Sequence, residues 1–88
     1  MEKLALLSLS SDLKRIVQSI QRGSLANTKR FNQEAKRWLI KSQKNKNVAL
    51  LKLLGKIEET LKQKNDLRKA EDCLMYSVLL QNRALQLK

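Results

Sequence analysis

LKQKNDLRKA, residues 61–70, decides the architecture of this chain. Before it, Leu50, Leu54, Ile57 and Leu61 recur at steps of four and three, which lays one apolar stripe along an α-helix. After it the next apolar residue is Leu67, a step of six that throws the stripe out of phase. Either the chain turns within residues 62–66, or two helices fuse into a rod of about 40 residues and about 60 Å. The stretch holds no Gly or Pro to announce a turn. The turn is nevertheless preferred: Asn65 or Asp66 offers an N-cap, and Glu71 and Asp72 follow early in the next helix, where its dipole favours acids. A turn predicts four helices, and a rod predicts three with a long C-terminal one.

Working outward, Asn47 is a plausible N-cap for the helix VALLKLLGKIEETLKQ, in which Glu58 pairs with Lys62 one turn on. Gly55 sits in mid-helix, where it reads as a tolerated surface residue or as the seat of a close helix crossing. Upstream, Gly23 followed by Ser24 punctuates a helical hairpin, and the second helix runs from about Leu25 to Lys44. The first helix carries Leu6, Leu9, Leu13, Ile16, Val17 and Ile20. Ser10, Ser11 and Asp12 interrupt it with capping chemistry, so it is expected to start near Ser11 after a shorter turn.

The last helix is apolar nearly all round. Leu67, Ala70, Leu74, Val78 and Leu85 form one stripe, Cys73, Tyr76, Leu80 and Leu87 a second, and Met75 and Leu79 lie on a third side. A helix of this kind needs cover on most sides. In so short a chain a second copy is the expected source of that cover, with the stripe of Tyr76, Leu80 and Leu87 as the self-association surface.

Composition agrees with an all-α chain: 88 residues, no Pro, two Gly, and 42% hydrophobic residues. The whole of residues 1–88 reads as one helical domain, a small antiparallel bundle of four helices. With one cysteine there is no internal disulfide, the N-terminal apolar run is too short and Ser-broken for a signal peptide, and no stretch is long enough to span a bilayer. The expected setting is cytoplasmic.

The formal charge is +11, and it is focused. Residues 23–47 hold 7 bases and 1 acid, whereas residues 66–88 hold 4 bases and 3 acids. On a helical wheel Lys29, Arg30, Lys36, Arg37, Lys41 and Lys44 fall within an arc of about 140°. Phe31, Ala35, Trp38 and Leu39 fall within a separate arc of about 100°, and Ile40 lands among the bases. The aromatics therefore belong to the core, with Trp38 at its edge. The basic ridge faces either water or a polyanion, which it would hold by neutralising phosphates without sequence readout.

Catalysis is not expected. The chain has no His, so it lacks an imidazole base and the Glu-x-x-His signature of di-iron bundles. Cys73 lies in an apolar context that predicts an inert thiol, and neither Gly belongs to a phosphate-cradling loop. No catalytic, metal-binding or cofactor-binding residue is predicted, and no small-molecule substrate is implied. The expected function is a non-enzymatic interaction module with a homodimeric or protein partner through helix four. The alternative is DNA or RNA binding through the ridge of helix two, followed by an anionic membrane surface.

Overall fold

The computed structural model describes residues 2–42 and 48–86, which form four α-helices: α1 (Glu2–Gln21), α2 (Leu25–Ser42), α3 (Val48–Leu61) and α4 (Asp66–Gln86). Lys44, Asn47 and Leu87, each given a role above, lie outside the described residues. The helices form a small antiparallel bundle. Its radius of gyration of 12.1 Å matches the roughly 12 Å expected for a compact domain of this length. Its longest extent, 37 Å, excludes the rod.

The turn after α3 is held without Gly or Pro. The amides of Lys62 and Gln63 donate to the carbonyls of Glu59 and Thr60, which tightens the last turn of α3. Gln63 Oε1 then accepts from the amides of Lys64 and Asn65. Asn65 is the N-cap, its Oδ1 accepting from the Arg68 amide at 3.1 Å. Lys69, buried at the start of α4, donates from Nζ to the Leu61 carbonyl at 3.0 Å and to Asn32 Oδ1 at 2.8 Å. It thereby ties the end of α3 and the middle of α2 to the head of α4. Burial lowers its pKa, so the clamp holds a cation at some expense in solvation.

The α1–α2 connection is a Schellman closure around Gly23, whose φ of 69° is open to glycine at little cost. The Gly23 amide donates to the Ile20 carbonyl and the Ser24 amide to the Ser19 carbonyl, so these two carbonyls at the end of α1 are satisfied. Just beyond, the hydroxyls of Ser19 and Thr28 lie 2.7 Å apart in a buried contact that pins the two helices together.

Around the bundle the helices follow chain order. α1 packs along the length of α2 and α4, and α3 meets both over shorter stretches. Among the described residues the diagonal pairs, α1 with α3 and α2 with α4, make no close backbone approach, so the basic helix lies across the bundle from α4. Leu6, Leu9, Leu13 and Ile16 of α1 fill the core with Leu54 and Ile57 of α3 and Leu80 of α4.

One expectation is corrected here, and the two readings of Gly55 are decided. α1 is one helix from Glu2, with no break at Ser11. The stripe through Leu6, Leu9 and Leu13 keeps helical period across the serines, and Ser10 turns inward to donate its hydroxyl to the Ser77 carbonyl at 2.7 Å. Gly55 is the tolerated surface residue of the two readings: it is exposed, and a Cβ there would meet no atom within 4 Å, so no close crossing occurs at it.

Candidate functional site

Two surfaces stand out. The first is the outward face of α4. Cys73, Ser77, Leu80 and Ala84 point inward, a row with three small residues that admits α1 closely, and Tyr76 packs half-buried against the core. The expectation that Tyr76, Leu80 and Leu87 form the self-association stripe is therefore corrected. Leu80 is 0% exposed and has no surface to offer a second chain, and Leu87 lies outside the described residues. The excess apolar surface is real, but it belongs to the other stripes. Leu67, Leu74, Met75, Val78, Leu79 and Leu85 are between 42% and 71% exposed. At 100° per residue Leu67, Leu74, Val78 and Leu85 share an arc of about 40° running the length of the helix, with Met75 and Leu79 on one flank.

The second surface is the ridge of α2. Lys29, Arg30, Lys36, Arg37 and Lys41 are all exposed, as is Ile40 among them; Lys44 lies outside the described residues. Only Arg30 has an acidic partner among the described residues, Glu34 one turn on at 3.6 Å, a solvated pair of small energetic weight. Phe31 and Trp38 are half-buried and pack on the core, while Ala35 and Leu39 are fully buried. The wheel separates rings from bases, yet the long side chains reach back across it. Lys41 Nζ stands 4.8 Å from the Trp38 ring centre, and the Arg15 and Arg30 guanidinium groups stand 5.6 and 5.8 Å from that of Phe31.

A third feature escaped the sequence reading. Asp12, a capping residue by type, is a buried carboxylate within α1, its side chain 4% exposed. Arg15 Nη1 stands 3.4 Å from Oδ1, and Oδ2 is buried without a hydrogen-bond partner. Burial, aided by the charge of Glu34 and opposed by Arg15, pushes its pKa from 3.8 up to about 6. The groove beside it, about 300 Å³, is bordered by Ser8, Ser11, Glu34 and Trp38. An acidic residue three positions before Arg15 carries no sign of its depth; only the packing of α2 over α1 supplies that.

The Cys73 thiol is fully buried, and burial pushes its pKa up to about 11, so it stays protonated near neutrality. Among the described residues, no three or more His, Cys, Asp or Glu side chains gather as a metal site, and no helix is long and apolar enough to cross a membrane. The fold thus defines the class, a small all-α four-helix bundle with one basic and one apolar face. No protein family, characterised protein or solved structure matches the chain, so these two faces carry the functional argument.

Proposed function

We propose that this chain is a non-enzymatic interaction module that self-associates through the outward face of α4. One observation carries the reading: six large apolar side chains stand exposed on α4 alone, whereas the other three helices together expose only Leu4, Leu25, Ile40 and Val48 among the described residues. A contiguous face of that kind marks a docking surface on a small domain. Its charge suits a like partner, because residues 66–88 hold 4 bases and 3 acids while the strongly basic α2 lies across the bundle. The near balance of bases and acids on α4 also disfavours an anionic membrane surface, which calls for an excess of bases beside the apolar face.

Sedimentation equilibrium tests the proposal. The native chain should populate dimers on the order of micromolar concentration, and Val78→Glu should leave a monomer with an unchanged helical spectrum. A native chain that stays monomeric at high micromolar concentration refutes it. Binding to anionic vesicles that Val78→Glu abolishes, without dimerisation, would reassign the face to membranes.

A second reading is favoured by the exposed and mostly unpaired bases of α2: Lys29, Arg30, Lys36, Arg37 and Lys41 would neutralise the backbone of a nucleic acid. Titration of duplex DNA and of RNA at increasing salt tests it. Reversal of Lys29, Arg30, Lys36 and Arg37 to Glu should abolish binding with the helical spectrum intact. Absence of binding by the native protein at low salt ends this reading.

A further inference from the structure

We infer that two copies pair α4 against α4 in antiparallel register about a twofold axis level with position 76 along the helix, with Glu71 of each copy meeting the Gln81 amide of the other. This rests on the self-association proposed above and specifies its geometry.

The outward face of α4 reads the same in both directions. Leu67, Glu71, Leu74, Val78, Gln81 and Leu85 recur at alternating steps of four and three, the spacing of a helix–helix seam. About position 76 the seam is symmetric. Leu67 mirrors Leu85, Leu74 mirrors Val78, and the two polar members, Glu71 and Gln81, mirror each other. A twofold axis places each member against its mirror on the second copy, so four apolar layers enclose two layers that pair Glu71 with Gln81. In a parallel pair each layer would instead face itself, and Glu71 would meet Glu71, a like-charge contact in a partly desolvated seam.

The bundle has already oriented Gln81 for this role. Lys14 of α1 donates from Nζ to Gln81 Oε1 at 2.8 Å. With its oxygen engaged, the amide has its Nε2 hydrogens left to donate, and a carboxylate is the acceptor that fits. Glu71 is exposed and makes no ion pair among the described residues. Lys14 also adds positive potential at the layer where the second copy's Glu71 arrives. Antiparallel helices further align their dipoles favourably.

Complete cover of the six exposed apolar residues, the flanking Met75 and Leu79 included, would bury at most roughly 600 Å² per copy, so the pair lies no higher than the lower edge of the size of specific interfaces. A reversible dimer is the form that this area supports.

Cysteine cross-linking in the full chain reads the register, with the native protein, whose single thiol is buried, as the control. In the antiparallel pair Leu67→Cys sits beside Leu85→Cys of the other copy, while two copies of Leu67→Cys lie about 27 Å apart along the seam. A mixture of the two variants should therefore give a disulfide-linked dimer, and Leu67→Cys alone should give none. Glu71→Lys should weaken dimerisation about tenfold, and Lys14→Glu combined with Glu71→Lys should restore it to within about threefold, since the swap reverses both ends of the Gln81 relay. A dimer that cross-links through Leu67→Cys alone, or that is indifferent to Glu71→Lys, overturns the register while leaving self-association standing. A native chain that sediments as a monomer overturns both.

Discussion

Asp12→Asn should make the bundle more stable at neutral pH and remove most of its loss of stability between about pH 4 and pH 7. The Asp12 carboxyl ionises at about 6 in the folded chain against an ordinary 3.8, chiefly because it is buried and secondarily because Glu34 faces it from α2. Across that interval the folded state binds more protons than the unfolded state. Stability is thus fullest below the ordinary value and is lost as pH rises towards 6. A displacement of that size corresponds to about 3 kcal/mol if fully expressed, and to about 2 kcal/mol when solvent in the adjoining groove screens the charge. Asn keeps the shape and leaves nothing to ionise, at the expense of a solvated contact with the half-exposed Arg15. Urea unfolding followed by far-ultraviolet circular dichroism at a series of pH values measures both proteins. The advantage of the variant should grow from near zero at about pH 4 to about 2 kcal/mol at about pH 7.5. A difference that stays flat within a few tenths of a kcal/mol, or a native protein that gains stability relative to the variant over this range, refutes the argument.

Other outcomes follow from the same structure. Leu80→Ala should cost about 3 kcal/mol in chemical denaturation, and Leu79→Ala, its exposed neighbour, less than about 0.5 kcal/mol for the monomer. Gly55→Ala should raise stability by about 0.5–1 kcal/mol in thermal melts, because the added Cβ meets open space within a helix, whereas Gly23→Ala should lower it by about 1 kcal/mol at its left-handed φ. Asn65→Ala should cost about 1 kcal/mol by leaving the first turn of α4 uncapped, and amide exchange should accelerate at Arg68 before it does in mid-helix.

The four helices were legible in local chemistry. The phase slip after Leu61 and the capping side chain of Asn65 specify a turn, and Gly23 specifies another, because caps and periodicity act within one or two turns of chain. The basic ridge of α2 was legible for the same reason: angular position on a helix follows from residue number alone. The stripes of α4 were also legible as stripes, but which of them faces inward was not. That choice depends on how closely α1 can approach, and the approach is set by small side chains on two helices far apart in sequence. Cys73, Ser77 and Ala84 flank Leu80, and Ser10 fits against the Ser77 carbonyl.

The same distance explains the two residues read most wrongly. Ser10 and Asp12 carry capping chemistry by type, and only a neighbouring helix turns one into a packing contact and the other into a buried carboxylate. Sequence alone therefore favoured four helices over three and determined where the charge lies, since caps, periodicity and angular position are set by residues within a turn or two of each other. Tertiary structure decided which faces are inside and hence which are left to meet a partner, because burial is a property of pairs of helices and no single stripe encodes it.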